Sequence, residues 1–255
     1  CIDAELPDRP APGGDDVARW VFKSAYSRFA SQTLICPSAQ QLRKVNPTNA
    51  APWVAQRFVE GREFCSFSVL IGGDLRAHSC YHPRYRVGRG SGIYFQPSAP
   101  EPVRRFLEQF GCETGYTGQV GFDFIEDPDG RFHVLECNPR ATSGVHLFDN
   151  QRQSLVSRLS EQSEHLLQPT PEPRMIALAM LLLAAPQRAF RAPFWCDYAA
   201  ARDVIVQKSD FWPLAAQVLS LAEIIVRAAS RRCGLLAAST ADIEWNGQPL
   251  SDCER

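Results

Sequence analysis

Short apolar runs separated by turn-forming residues fill the first part of the chain, and longer stretches with helical spacing fill the second. Trp20-Val21-Phe22 and Thr33-Leu34-Ile35 read as strands, and Trp53 to Val59 as a third. Phe64 to Ile71 and Leu75 to Tyr81 read as a hairpin turning at Gly72-Gly73-Asp74. Glu101 to Phe110 carries apolar residues at Val103, Phe106, Leu107 and Phe110, with Pro102 in its first turn and Gly111 just beyond, so a helix is expected to end there. A second hairpin, Gln119 to Ile125 with Arg131 to Glu136, turns through Asp127-Pro128-Asp129-Gly130. Strands and helix mix without strict alternation. The expected class is therefore α+β, with mixed or antiparallel sheets rather than a doubly wound parallel one.

Residues 1–16 are polar and rich in proline and glycine, which suits a loose first segment. After Asp149 the composition shifts toward helix formers. Gln151 to Leu167, the apolar Met175 to Ala185, and Pro213 to Arg232 are the expected helices, the last with Leu214, Val218, Leu221, Ile225 and Ala228 at helical spacing, Asp210 to cap it and Gly234 to close it. The division expected from this shift is a domain over 17–150 followed by a mainly helical region over 151–255.

Of the 255 residues 45% are hydrophobic and 22% charged, which describes an ordinary globular chain. Lys and Arg (27) nearly balance Asp and Glu (28), so no bulk positive field exists to hold a polyanion, and nucleic acid is not an expected partner. The most apolar window, Met175 to Ala185, is shorter than the ~20 residues of a bilayer span, so no membrane partner is expected either. The nine cysteines are odd in number and scattered without a C-x-x-C pair, which argues against a disulfide framework and for a reducing, cytoplasmic setting. The chain opens at Cys1 without a methionine or an apolar leader, as a fragment of a longer protein would.

Phosphate-loop, dinucleotide-fold, nucleophile-elbow and zincin motifs are all missing. The informative stretch runs from Gly118 to Arg140. If Glu126 pairs with Arg131 across the four-residue loop, Asp123 falls opposite Val134 and Glu136 opposite Gly121, so the two acids share a face, and Asn138 joins them two residues on. The other face would carry Val120, Phe122, Phe124, His133 and Leu135. Magnesium on nucleotide phosphates needs this donor set: one or two carboxylates, little else from the protein, and phosphate oxygens for the remaining positions. A solvated hairpin face is the plainer reading, but like charges side by side on a sheet are otherwise destabilising, and the metal reading is preferred.

An acid, a hairpin and Glu-x-Asn, with the acids thirteen positions apart, resembles the metal signature of the ATP-grasp superfamily, and Glu136-Cys-Asn-Pro-Arg140 resembles its carboxylate-amine-ligase and carbamoyl-phosphate-synthase-like branch. Upstream, Val21-Phe-Lys23-Ser-Ala-Tyr-Ser27-Arg-Phe-Ala-Ser31 has the form of that family's phosphate lysine and flexible loop. Gln56-Arg-Phe58-Val59-Glu-Gly-Arg-Glu63 has the form of its adenine linker and ribose-binding Gly-x-Glu. The resemblance covers about residues 17–149. It implies an ATP-grasp fold, truncated at its N-terminal side, that binds ATP and Mg²⁺, with Mn²⁺ as an alternative ion. It further implies that Lys23 and Ser27 contact phosphates, that the backbone from Gln56 through Phe58 to Val59 holds adenine, and that Glu63 binds ribose. Asp123, Glu136 and Asn138 would then coordinate the metal, and Arg140 would stabilise the transferred phosphoryl group. The implied activity joins a small-molecule carboxylate to an amine through an acyl phosphate, with ADP and phosphate as products. A nucleotide-binding regulatory module and a phosphotransferase are the alternatives. Several relatives carry an arginine two residues before the first metal acid, where this chain has Gly121.

Three further features stay outside that pattern. Tyr81 to Gly92, with Arg84, Arg86, Arg89 and three glycines, reads equally as a cationic cradle for phosphate or carboxylate and as a long exposed hairpin loop. His78, Cys80 and His82 alternate and would share a strand face, but no second cluster supplies a fourth zinc ligand. Asp242 to Gly247 reads as a strand running into a turn at Asn246-Gly247.

Overall fold

The computed structural model describes residues 19–25, 33–49, 51–87, 91–159, 165–188, 190–206 and 212–240. The first segment 1–16, Ser27 with the rest of its loop, the Asp210 cap and the Asp242–Gly247 turn lie outside the described residues. The chain divides into two compact units, one of residues 1–58 with 219–255 and one of residues 59–218.

In the first unit β1 (Trp20–Ser24), β2 (Thr33–Ile35) and β3 (Trp53–Arg57) form an antiparallel sheet in the order β2-β1-β3. The third strand ends at Arg57, so Phe58 and Val59 follow it, although the Phe58 amide still donates to the Arg19 carbonyl at 2.7 Å. Between the strands, α1 (Ala39–Leu42) starts at a capping box in which the Ser38 hydroxyl accepts from the Gln41 amide and the Gln41 side chain accepts from the Ser38 amide.

The second unit is a seven-stranded sheet. Its centre is the hairpin of β4 (Arg62–Ile71) and β5 (Asp74–Val87), whose turn needs positive φ at Gly72 (58°) and Gly73 (90°). β6 (Ser91–Ser98), α2 (Glu101–Thr114), β7 (Gly118–Glu126) and β8 (Phe132–Asn138) follow. The helix runs past the glycine expected to end it, and Gly115 (φ 61°) closes it instead. Gly111 is inside the helix because a Cβ there would come within 2.1 Å of the Gly73 carbonyl oxygen and 2.6 Å of Leu70 Cδ2. That glycine serves close approach to the β4–β5 turn, a role the sequence pattern does not separate from termination.

Alternation along β4 and β7 builds two different faces. On one, Phe64, Leu70, Cys80, Val120, Phe122 and Phe124 pack against Val103 and Leu107 of α2. Phe122 and Phe124 meet Phe106 edge-on, at 5.0 and 5.5 Å between ring centres. Burying a side chain such as Leu107, fully enclosed here, contributes roughly 1.5–3 kcal/mol. On the other face a 3₁₀ segment, Ser143–Gln151, and α3 (Arg152–Arg158) cover Phe67, Val69 and Ala77 with Phe148 and Leu155, and Leu147 packs on Tyr81 and Phe95.

The region after 150 adds to the same sheet, so the compact units do not divide near that position. β9 (Arg174–Met175) pairs with β6, and β10 (Arg202–Asp203) pairs with β9 in parallel. The long helix expected over 151–167 is confined to α3 among the described residues, and Leu167 instead bridges Ala77 on the outer side of β5. The window from Met175 starts as strand and then coils through α4 (Ala177–Ala179), a π-helical turn Met180–Ala184 and α5 (Ala185–Arg188). It is buried on one side only, through Met180 and Ala184, while Leu181, Leu182 and Leu183 are exposed. α6 (Ala192–Ala200), α7 (Trp212–Arg231) and α8 (Leu235–Thr240) complete the described helices. Arg232 (φ 51°), not Gly234, takes the left-handed position after α7. At 20 residues and a mean hydropathy of 1.3, α7 is by length and composition long and apolar enough to cross a bilayer.

Candidate functional site

β7 and β8 meet as a hairpin, but in a register different from the one expected. Gly121 pairs with Asn138 and Asp123 with Glu136, whereas Phe124 pairs with Val134, so β8 has one additional residue at Leu135. The connecting loop is one residue longer than expected, since Glu126 pairs with Phe132, and the bulge adds a second position of shift beside the acids. Asp123 faces Glu136 directly instead of Val134. The longer loop sets Val134 beside Phe124 and His133 beside Ile125, reversing the faces that the expected register gives those two residues. In this register too, Asp123, Glu136 and Asn138 stand on one face.

β4 widens that face. Cys65 pairs with Asp123 and Glu63 with Ile125, so Glu63 and Cys65 lie on the Asp123 side. Burial pushes the Asp123 carboxyl up to about 6; Glu136 and Glu63 add to the rise, while a hydrogen bond from Cys65 and the charge of Arg86 oppose it. Carboxylates crowded on one face in this way could hold a hard divalent cation. Among the described residues no three His, Cys, Asp or Glu side chains converge as a metal-holding group, and the candidate donors on this face are two carboxylates and an amide oxygen. That set fits magnesium with phosphate oxygens and does not fit a zinc site. His78 and Cys80 are buried on the opposite face, and His82 Nδ1 is 2.8 Å from the Glu63 carbonyl oxygen.

Arg140 stands beside this set. Its Nη2 donates to Asn138 Oδ1 at 3.2 Å and its amide to the Asn138 carbonyl at 2.8 Å, which ties the guanidinium to the amide oxygen assigned to the metal. The turn after Asn138 is fixed by Thr142, whose hydroxyl donates to the Ser66 carbonyl at 2.8 Å. Thr142 fills the space above Gly121: a Cβ there would lie 2.3 Å from Thr142 Cγ2 and 2.7 Å from the Ser66 oxygen. An arginine at this position, as in several relatives of the resembled family, therefore has no room here. Gly121→Ala should cost about 1–3 kcal/mol in urea denaturation and displace the 138–142 turn. An unchanged denaturation midpoint would show that Thr142 yields freely.

Glu63 forms an ion pair with Arg86, and Arg62 pairs with Glu126 at 3.0 Å. Gly61 of this motif packs so tightly on the end of β7 that a Cβ would meet the Glu126 carbonyl oxygen at 2.0 Å. The stretch expected either to cradle an anion or to hang as a loop is mostly strand: residues 81–87 belong to β5, Arg84 Nε lies 3.0 Å from Asp197 Oδ2, and Gly88, Arg89 and Gly90 lie outside the described residues. Cys65 is the neighbour of this set that the sequence reading missed, although alternation two residues after Glu63 signals it. Arg86 reads in the sequence as part of a cationic cradle, and its pairing with Glu63 has no signal there.

Lys23, Gln56 and Phe58 belong to the first unit, and Val59 and Glu63 to the second. Lys23 lies opposite Val54 and Val21 opposite Gln56, so Lys23 and Gln56 share a face of the three-stranded sheet.

No family model matches the chain, and no curated protein matches it. Among solved structures, an L-amino acid ligase from Bacillus licheniformis is similar at 17% identity and a TM-score of 0.38, over 55% of this chain and 35% of its own. The biotin carboxylase domain of a Hydrogenobacter thermophilus 2-oxoglutarate carboxylase, solved with MgADP, ADP and bicarbonate, is similar at 14% identity and 0.45, over 58% of this chain and 38% of its own. An N5-carboxyaminoimidazole synthetase from Staphylococcus aureus, solved with ADP, is similar at 11% identity and 0.47, over 66% and 49%. All three are ATP-grasp enzymes, and the chain spans half of their length or less. Likenesses of this size leave the reading of the site to the chain's own residues.

Proposed function

We propose that the chain is part of an ATP-grasp ligase that activates a carboxylate, or a carbonate-like acid, as an acyl phosphate and passes the acyl group to an amine, releasing ADP and phosphate. The observation that carries this reading is Asp123 set directly against Glu136, with Asn138 on the same face and Arg140 tethered to it. Asp123, Glu136 and Asn138 would hold Mg²⁺, or Mn²⁺ in its place. When bound, the ion would neutralise phosphate charge and orient the γ-phosphoryl group. Arg140 offers a planar, permanently charged donor fork beside the same oxygens, suited to an acyl phosphate. No side chain here is placed as a covalent nucleophile, because positioning and charge complementarity suffice for phosphoryl transfer. Lys23, Gln56 to Val59 and Glu63 keep the roles that the family resemblance gives them: phosphate, adenine and ribose.

The nucleotide product tests the reading. With the full-length protein, ATP, magnesium and a pool of carboxylic acids and amines, ADP and phosphate should appear together, and added hydroxylamine should trap an acyl hydroxamate. AMP as the main product would mean attack at the α-phosphorus and would end the acyl-phosphate proposal. ADP with a persistent phosphoester would make the protein a phosphotransferase.

A further inference from the structure

The sheet face away from Asp123 carries a cavity of about 300 Å³, the lower end of the range in which small-molecule sites fall. It lies where β6 ends and α2 begins. Past Cys80 the outer side of β5 is no longer taken by β6, and Leu167 bridges Ala77 there. The chain then runs on through Pro169 and Pro171 to close the cavity opposite Pro97 and Pro100.

Its chemistry is uneven in an informative way. Four proline rings supply flat, rigid walls without backbone N–H donors. Cys80 adds a buried thiol that burial pushes up to about 12, so it stays neutral. The charges at the rim are already paired, since Arg104 meets both Glu101 and Glu108, and Glu101 also meets Arg105. Two polar atoms of lining residues are nevertheless buried without a hydrogen-bond partner in the protein: His78 Nε2, on a side chain only 6% exposed, and Thr170 Oγ1. Burying such atoms is unfavourable unless something satisfies them.

His78 can satisfy a ligand in only one sense at a time. Its Nδ1 lies 2.9 Å from the buried Ser68 hydroxyl, which fixes that side of the ring, and burial holds the imidazole neutral, with its pKa near 4. Nε2 is then a single donor or a single acceptor, whereas the Thr170 hydroxyl offers both. A charged partner is not called for, because nothing unpaired at the rim would balance it.

We propose that this cavity is a binding site for a small uncharged ring compound bearing a carboxamide or an equivalent donor–acceptor pair, the ring lying between the prolines and the polar group meeting His78 Nε2 and Thr170 Oγ1. The site is separate from the metal hairpin and does not rest on the nucleotide reading.

Benzamide is the probe, with benzoate as its charged counterpart and the ring resonances of His78 as the readout. Benzamide should shift those resonances saturably in the millimolar range expected of so small a ligand, and benzoate should not. Thr170→Val should weaken benzamide by about tenfold, a hydrogen bond's worth of affinity. Ser98→Phe, which places a ring in the cavity, should abolish the response, while Glu136→Gln should leave it unchanged. No saturable shift, an equal response to benzoate, or undiminished binding in both the Thr170 and Ser98 variants would each overturn the proposal. If Ser98→Phe does not fold, Thr170→Val decides alone.

Discussion

Glu136→Gln in the full-length protein should lower magnesium-dependent ATP turnover by about a hundredfold or more while leaving the far-ultraviolet circular dichroism and the melting temperature close to the parent's. The expectation follows from where the side chain stands. Glu136 is exposed, on a strand of the hairpin, and enters no core cluster, so a near-isosteric amide removes little packing. It does remove one of the two carboxylates proposed to hold the ion, and amide oxygens substitute poorly for an anion in such sites. The loss of one preorganised electrostatic group typically costs on the order of a hundred- to a thousandfold in rate. Raising magnesium should recover part of the activity if the defect lies in ion binding. Turnover equal to the parent's, with folding intact, would remove Glu136 from the metal set.

Acid should destabilise the protein through a residue far from that chemistry. His78 has its pKa depressed from 6.5 to about 4, chiefly by burial and secondarily by the positive charge of Arg104. The unfolded chain therefore takes up a proton near pH 6.5 that the folded protein refuses until about pH 4. The stabilising contribution of neutral His78 is complete above the unfolded value and is lost as pH falls through the folded one, in total about 3 kcal/mol. Many carboxylates titrate over the same interval, so the informative quantity is a difference. Between about pH 7 and about pH 4 the parent should lose roughly 3 kcal/mol more stability in urea denaturation than His78→Gln, which has no proton to gain. Equal losses in the two proteins would show that His78 is protonated without penalty.

The strands and their mixture with helices were legible because alternation and turn chemistry are local properties. Gly72-Gly73 and Asp127 to Gly130 announce hairpins wherever they occur between apolar runs. The Asp127 carboxylate even organises its own loop, accepting the amides of Asp129 and Arg131 and meeting His133 Nε2 at 2.7 Å. Two kinds of information were not local. The additional residue at Leu135 leaves no mark in composition, yet it decides that Asp123 faces Glu136 and not Leu135. The roles of Gly111, Gly121 and Gly61 depend on what the fold brings against them, so Gly111 read as a terminator and Gly121 as a departure from a family pattern. The region after Asp149 is mainly helical among the described residues, as expected, but not throughout. Helix-forming composition there conceals the two short strands that extend the sheet, and strands of two residues have no periodicity to detect.

Among the described residues β8 is the last strand in the sheet order, held through main-chain pairing by β7 alone, and it contributes both Glu136 and Asn138. Strands at a sheet margin open at lower free-energy cost than central ones. Each brief separation of β8 from β7 would carry both ligands away from Asp123 together, dissolving the donor set in a single event. With the ion held as proposed, occupancy would be linked to closure of this margin, and a bound cation would make separation of β8 from β7 rarer.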